Sequence, residues 1–323
     1  MNTTKINTKI MNGDCIKMMQ TLPDKSVNCC VTSPPYFGLR DYGHEGQIGL
    51  EETPNAFVKK IVEVFREVKR VLKDNGTLWL NIGDSYASYR DGKATPDTTR
   101  GSSTGTLVAK GNAKNRMSST FLGSDVKHKD LIGIPWMLAF ALRADGWYLR
   151  QDIIWHKPNP MPESVTDRCT KSHEYIFLFS KSSTYYFDNI AIKEKGVIPA
   201  GTKGAKGSIE RQQQRGVNAR PPEYKIYDGM RNKRDVWSIN VKPYKGAHFA
   251  TYPPELIRPC ILAGCPKGGI VLDPFGGSGT TAAVANEEER NAILCELNSA
   301  YIPMIQERIK NLKTNNQSFL DIA

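Results

Sequence analysis

The chain has 323 residues with 39% hydrophobic side chains, enough to bury one large core with or without an inserted segment. No apolar run reaches the length that a bilayer requires, and the first residues lack the apolar core of a signal peptide. The net charge of +11 favours polyanionic partners. The 7 cysteines show no paired metal-ligand spacing, so we expect no metal site and a reducing cytoplasmic location. Because no apolar run is long enough for a bilayer, we also expect no membrane partner.

The positive charge is concentrated in two segments without clear periodicity. Residues 193–245 hold 13 lysines and arginines against 5 aspartates and glutamates, and residues 85–130 hold 8 against 4. Segments of this kind suit contact with phosphates, although a solvated linker has the same composition. Residues 85–130 are also rich in Ser, Thr and Gly, so we predict a long flexible loop there.

Hydrophobic periodicity predicts alternating strands and helices in the rest of the chain. Strands are predicted at 9–11, 27–32, 77–82, 148–156, 175–179, 269–272 and 292–295, with a further candidate at 185–187. Helices are predicted at 55–73, 131–144 and 254–263, from residue 280, and at 299–312. This alternation predicts an α/β fold with a mostly parallel sheet and helices on both faces.

Two motifs follow apolar runs near opposite ends of the chain. Thr32-Ser33-Pro34-Pro35-Tyr36 ends the strand at 27–32, and residues 273–281, Asp-Pro-Phe-Gly-Gly-Ser-Gly-Thr-Thr, end the strand at 269–272. Each should therefore lie at the carboxyl edge of the sheet, where open α/β folds bind their ligands. Alone, the first motif could simply terminate a strand, because prolines cannot continue a ladder.

The glycine-rich motif predicts a ligand with a positive centre. A phosphate-binding loop would carry a lysine, which is missing here, and the glycine spacing does not match the dinucleotide fingerprint. An aspartate at the strand end suits the sulfonium and ammonium groups of S-adenosylmethionine. Glu296 ends the next strand, about twenty residues on, where a carboxylate can accept both ribose hydroxyls.

In this order, the two motifs resemble those of the beta-class amino-group DNA methyltransferases, in which the catalytic motif precedes the cofactor motif. The resemblance extends over roughly residues 8–84, 131–190 and 246–312. It implies a Rossmann-like fold that uses S-adenosylmethionine. Residues 1–192 would be the catalytic half, residues 193–245 an inserted target-recognition region, and residues 246–323 the cofactor half.

The resemblance also implies the cofactor residues. Asp14 would meet the adenine amino group, although an ordinary helix N-cap is an equally simple role for it. Thr251 belongs to the element at 248–253 that would close over the methionine moiety, or that simply precedes a helix. The complete predicted set is Asp14, Cys15, Ser33, Thr251, Asp273, Phe275, Gly277, Ser278, Gly279, Thr280 and Glu296.

The implied catalytic residues are Ser33, Pro34, Pro35 and Tyr36. An exocyclic amine is a poor nucleophile because its lone pair is delocalised into the ring. If the Ser33 hydroxyl and the Pro34 carbonyl both accept hydrogen bonds from the amine, its lone pair can point at the sulfonium methyl. Tyr36 would stack on a base flipped out of the duplex.

Thr-Ser-Pro-Pro-Tyr is commonest in cytosine-N4 enzymes of this class, so we favour cytosine N4 over adenine N6 as the target. Other interpretations are an inactive DNA-binding module and an enzyme acting on RNA or protein. The expected partner is double-stranded DNA, and the enzyme would be a monomer or a homodimer. A cognate restriction endonuclease is a further candidate partner, whose existence the sequence does not decide. The predicted DNA contacts are Arg40, Lys157, Arg211, Arg215, Arg220, Arg231, Lys233 and Arg234.

Overall fold

The computed structural model describes residues 6–39, 41, 43–44, 46–87, 126–202, 227–242 and 252–310. Part of the predicted loop, residues 88–125, lies outside these ranges. So do five residues that the sequence singled out, namely Arg40, Arg211, Arg215, Arg220 and Thr251.

The described residues form ten strands in two sheets. The strands are Thr8–Asn12 (β1), Val27–Thr32 (β2), Leu72–Ile82 (β3), Tyr148–His156 (β4), His173–Ser180 (β5), Glu194–Lys195 (β6), Met230–Arg231 (β7), Val236–Ser238 (β8), Ile270–Asp273 (β9) and Asn291–Glu296 (β10). Eight of them form the main sheet in the order β1-β10-β9-β2-β3-β5-β4-β8.

The main sheet is mostly parallel, as predicted. β1, β10, β9, β2 and β3 are parallel neighbours, and β8 is parallel to β4. β5 is antiparallel to both β3 and β4. Because of this reversal, the amino end of β5 lies beside the carboxyl ends of its neighbours, where Trp155 pairs with Glu174 and Ile82 with Tyr175.

The candidate strand at residues 185–187 does not form. The ladder between β3 and β5 ends where Thr77 pairs with Ser180, so residues 185–187 lie beyond the paired part of β5. Tyr186 instead donates its backbone N–H to the Asn75 carbonyl, at 2.9 Å.

The helices follow the predicted periodicity closely. They are Cys15–Gln20 (α1), Pro54–Val71 (α2), Ile134–Ala144 (α3), Pro254–Gly264 (α4) and Thr280–Glu287 (α5), followed by a 3-10 turn at Ser299–Tyr301 and helical residues 302–310. Thr53 caps α2 with its hydroxyl, which accepts the Ala56 N–H at 3.1 Å, and Pro54 occupies the first turn, where no N–H is needed.

Helices cover both faces of the sheet because successive strand residues point to opposite sides. Cys30 joins the buried cluster that includes α1, α2 and α3. Its neighbour Cys29 faces α4, where a Cβ atom added at Gly264 would lie 2.8 Å from the Cys29 sulfur. The Rossmann-like arrangement predicted from the sequence is confirmed.

The chain divides into two compact units, which are residues 1–187 with 235–323, and Asp188–Arg234. In the smaller unit β6 pairs with β7, and Glu194 accepts hydrogen bonds from Arg231 at 2.9 Å and Arg234 at 2.7 Å. β8, although inside the segment 193–245, belongs to the main sheet. The recognition role of that segment stays a prediction.

No helix among the described residues is long and apolar enough to cross a membrane. The same residues contain no group of three or more His, Cys, Asp or Glu side chains placed to hold a metal ion.

Candidate active site

A cavity of about 270 Å³ opens at the carboxyl edge of the main sheet. Its walls come from the ends of β1, β2, β3, β4, β9 and β10 and from the amino end of β5. The two sequence motifs therefore meet at one cavity although 241 positions separate Thr32 from Asp273, whose side chains share a hydrogen bond of 2.6 Å. Seven of the predicted cofactor residues line it, namely Asp14, Cys15, Ser33, Phe275, Gly277, Ser278 and Glu296.

Asp273 is a buried hydrogen-bond hub behind the cavity wall. Its carboxylate accepts from the hydroxyls of Thr32 (2.6 Å), Tyr252 (3.1 Å) and Thr281 (2.5 Å) and from the Phe275 N–H (3.0 Å). Only 1% of the residue is exposed, and burial raises the pKa of the carboxyl group despite these donors. Asp273 therefore holds the glycine-rich loop against β2 and α5.

Gly279 and Thr280 also lie behind the wall. Gly279 has a φ of +76°, and an added Cβ would lie 2.8 Å from the Ile305 side chain, so both the backbone and the packing require glycine. The Thr280 hydroxyl accepts a hydrogen bond from Arg308 at 3.0 Å. A direct cofactor contact by either residue stays a prediction.

Glu296 lies in the wall at the end of β10 and is 8% exposed. One carboxylate oxygen accepts the Gly277 N–H at 2.7 Å, and the other accepts the Asn298 N–H at 2.8 Å. Each oxygen keeps a further lone pair, so the group can still accept two hydroxyls. Burial raises the pKa of Glu296 above its usual range.

Asp14 caps a helix and also lies in the cavity wall, and its contact with the adenine amino group stays a prediction. One of its carboxylate oxygens caps α1 by accepting the Lys17 N–H at 3.0 Å, and the residue also lines the cavity. Cys15 beside it is buried, which raises the pKa of its thiol to about 12, so it contributes an apolar surface without a thiolate.

Ser33, Pro34, Pro35 and Tyr36 form the part of the wall that follows β2. The Tyr36 hydroxyl donates to a Glu174 carboxylate oxygen at 2.7 Å and lies 3.5 Å from the Asn81 side-chain oxygen. Burial and the nearby carboxylate raise the pKa of Tyr36 well above its usual value, so the phenol keeps its proton.

Glu174 and Asn81 stand beside Tyr36, and the sequence predicts no individual role for either, although residues 173–177 resemble a strand element that lies beside the base pocket in the family. The same Glu174 oxygen accepts the Asn81 side-chain N–H at 3.3 Å, and the other Glu174 oxygen pairs with the Lys157 ammonium. A signal was present, because Asn81 interrupts an apolar run and Glu174 directly precedes one. This local pattern does not predict that β5 runs antiparallel, which is the direction that brings Glu174 to the cavity.

Lys157, predicted as a phosphate contact, also lines the cavity. Its side chain is 19% exposed, and the ammonium lies 4.4 Å from the centre of the Trp155 ring. A contact with phosphate stays a prediction for this residue. In the smaller unit, Arg231 and Arg234 are held by Glu194, with 34% and 66% of their side chains exposed.

Comparison with known proteins decides the family. The family model described as DNA methylase (N6_N4_Mtase) matches residues 27–307. The chain belongs to the DNA methylase family. Its substrate is DNA and its methyl donor is S-adenosylmethionine.

Among characterised relatives, the chain is 45% identical to the Type II methyltransferase M.Cfr9I of Citrobacter freundii, over 95% of this chain and 89% of the relative. It is 48% identical to the Type II methyltransferase M.SmaI of Serratia marcescens, over 93% and 90%. In fold it is similar to the PvuII DNA methyltransferase (cytosine-N4-specific), with a TM-score of 0.61 at 18% identity over 94% of this chain and 87% of that one.

It is also similar in fold to a putative DNA modification methylase of Thermus thermophilus in complex with S-adenosyl-L-methionine. The TM-score is 0.58 at 22% identity, over 94% of both chains. The donor set of the cavity fits that cofactor, because Glu296 retains two acceptor positions and the glycine-rich loop brings backbone close to the wall without any lysine.

Proposed function

We propose that this enzyme methylates the exocyclic N4 of a cytosine flipped out of duplex DNA. The observation that carries the proposal is that Ser33 and Tyr36 line the same cavity as Gly277 and Glu296. The cavity therefore brings groups that can bind an amine close to groups that can bind the cofactor.

The proposed chemistry needs only positioning by this chain. The Ser33 hydroxyl oxygen and the Pro34 carbonyl accept the two amine hydrogens, which directs the nitrogen lone pair away from the ring. Tyr36 stacks on the base, and Glu296 and Asp14 hold the ribose and adenine of the cofactor. When bound there, S-adenosylmethionine would supply the electrophilic methyl group for the amine.

The choice of cytosine rests on the serine at position 33, since adenine-N6 enzymes of the beta class usually carry aspartate there. The decisive experiment is incubation of the protein with duplex DNA and labelled cofactor, followed by digestion to nucleosides and mass analysis. N4-methylcytosine is expected. N6-methyladenine would replace the cytosine assignment, label in RNA or protein would replace the substrate, and no label would favour an inactive binding module.

We further propose that the enzyme belongs to a restriction-modification pair, because the relatives M.Cfr9I and M.SmaI are Type II methyltransferases. The recognition sequence would be read by residues 193–245. Sequencing DNA from cells that express the enzyme would identify the methylated motif. A cognate endonuclease should cut that motif only in unmodified DNA.

A further inference from the structure

The catalytic motif and the glycine-rich motif follow two neighbouring strands, β2 and β9, whose backbone pairing stops short of the cavity. Within the described residues, the last pair between these strands joins Cys30 to Leu272. Thr32 and Asp273 lie just beyond that pair, where the two strands end. The Thr32 hydroxyl donates to the Asp273 carboxylate at 2.6 Å. At the edge of the cavity, a side-chain hydrogen bond therefore continues the contact that the backbone ladder has left.

One oxygen atom of Asp273 connects the two motifs. Asp273 Oδ1 accepts the Thr32 hydroxyl at 2.6 Å and the Phe275 backbone N–H at 3.0 Å. Ser33 directly follows Thr32, and both Ser33 and Phe275 line the cavity. The part of the wall proposed to bind the amine and the part proposed to bind the cofactor are therefore joined through a single acceptor atom.

We propose that Thr32 is a positioning residue, whose hydrogen bond to Asp273 sets the distance between Ser33 in the catalytic motif and Phe275 in the glycine-rich motif. The inference rests on the proposed function and deepens it, because this distance fixes the amine relative to the cofactor. Thr32 is buried behind the cavity wall and acts through Ser33. Their Cα atoms are about 3.8 Å apart, so a shift of Thr32 also moves Ser33.

Burial makes this hydrogen bond hard to replace. Thr32 is 0% exposed and Asp273 is 1% exposed, so water does not reach either partner. The other Asp273 oxygen, Oδ2, accepts the hydroxyls of Tyr252 at 3.1 Å and Thr281 at 2.5 Å. These two bonds, with the one from Phe275, hold the glycine-rich loop without Thr32. Loss of the Thr32 hydroxyl should therefore release the catalytic motif and leave the loop in place.

The first test removes the hydroxyl and keeps the shape of the side chain. Thr32→Val should lower the single-turnover methylation rate, at saturating DNA and cofactor, by about tenfold to hundredfold, because a displacement of about 1 Å can cost a loss of this size. Cofactor affinity, measured by calorimetry, should stay within about threefold, since the loop keeps its other hydrogen bonds. Thr32→Ser restores the hydroxyl, so its rate should be within about threefold of wild type.

Crystal structures of the variants without cofactor give a measurement that does not depend on activity. In Thr32→Val the separation of the Ser33 and Phe275 Cα atoms should increase by about 0.5–1 Å, the scale on which misplaced groups lose rate. In Thr32→Ser it should match the wild-type separation. The proposal would be overturned if either the rate or the separation in Thr32→Val equalled that of the wild type.

Thr77→Val is the matched control. Thr77 is also a fully buried strand threonine, but it pairs with Cys29, three residues before Thr32 on β2, and does not line the cavity. Its hydroxyl accepts the Trp79 indole N–H at 3.2 Å, so its loss should lower the free energy of unfolding. The methylation rate should nevertheless stay within about twofold of wild type. Equal slowing by Thr77→Val and Thr32→Val would show a general loosening of the sheet and would overturn the proposal.

Thr32→Ala and Thr32→Ser provide a second comparison that does not need a folded valine variant. Both lack the methyl group of threonine, and they differ only in the hydroxyl. Thr32→Ser should methylate at least about fivefold faster than Thr32→Ala, and equal rates would contradict the proposal. Product analysis of the wild-type enzyme tests the proposed function separately. If the wild type labelled no DNA, that function would fail, whereas the separation of the two motifs would still test Thr32.

Discussion

The two ends of the cavity, the proposed cofactor end at Glu296 and the proposed base end at Glu174, each contain a carboxylate with little exposure, but the groups around the two carboxylates differ. Glu296, at the cofactor end, accepts backbone N–H groups from Gly277 and Asn298. Glu174, at the base end, accepts side-chain donors that come from three other segments of the chain. Backbone donors are fixed by the fold, whereas side-chain donors can reverse or be replaced.

This difference predicts different responses to substitution. At the cofactor end, removal of a carboxylate should subtract a binding contact and leave its neighbours in place. At the base end, removal of one member should change what the other members do. The cofactor end should therefore show additive effects and the base end coupled effects.

The largest effect should come from the residues that would meet the base. Ser33→Ala and Tyr36→Ala should each lower the methylation rate by about 10²–10³-fold, comparable to the loss of a transition-state contact in other enzymes. Cofactor affinity, measured by calorimetry, should change little. A tenfold or greater loss of cofactor affinity in Tyr36→Ala would place this residue at the other end of the cavity.

Asp273→Ala should mainly destabilise the fold. Several buried donors would lose their acceptor, so we expect a loss of about 2–4 kcal/mol in the free energy of unfolding, measured in urea. The control is Asp74→Ala, because Asp74 is 67% exposed in its pair with Lys25. Solvent screens such an exposed pair, so this control should change the stability little. Equal stability losses in the two variants would show that the Asp273 network contributes little.

Glu296→Ala should instead weaken cofactor binding. The loss of two hydrogen bonds to the ribose should cost about 1–3 kcal/mol in calorimetry. The effect should be additive with that of Glu174→Gln on the single-turnover rate, because the two carboxylates share no hydrogen-bond partner among the described residues. Unchanged cofactor affinity would exclude Glu296 as the ribose ligand.

Cofactor affinity should also depend on pH through Glu296. Burial raises the pKa of this carboxyl group, so it takes up a proton at a higher pH than an exposed glutamate does. Affinity should therefore fall as the pH is lowered towards that raised pKa. The raised pKa means that protonation of Glu296 favours the folded state, so this loss is not caused by unfolding at this group. Glu296→Gln should remove the step from the binding profile, and a step that survives in this variant would have another origin.

The smallest effects should come from the arginines of the smaller unit. Arg234→Ala should weaken DNA binding a few-fold and reduce the salt slope by about 0.9 if one phosphate contact is lost. Glu194→Gln should do the opposite, because the carboxylate now neutralises both Arg231 and Arg234. If neither variant changes DNA affinity, these arginines do not contact the nucleic acid.

The sequence alone determined most of the cofactor end. The glycine-rich loop follows β9 directly and Glu296 ends the next strand, so short spacings along the chain carry the information. The same is true of Ser33–Tyr36 after β2, and of the alternation of strands and helices that predicts the sheet. Local periodicity and turn chemistry decide these features, and both depend on residues that are close to each other in the sequence.

Only the tertiary structure decided the base end. Tyr36, Asn81, Lys157 and Glu174 lie on four separate segments, and their meeting depends on the strand order β2-β3-β5-β4. It depends also on the antiparallel direction of β5, which turns its amino end towards the cavity. Strand direction is set by how connections pack over the whole sheet, so no local pattern in the sequence reveals it. For the same reason the sequence showed Asp273 as an acidic residue at a strand end, and only its buried partners showed that it holds the loop in place.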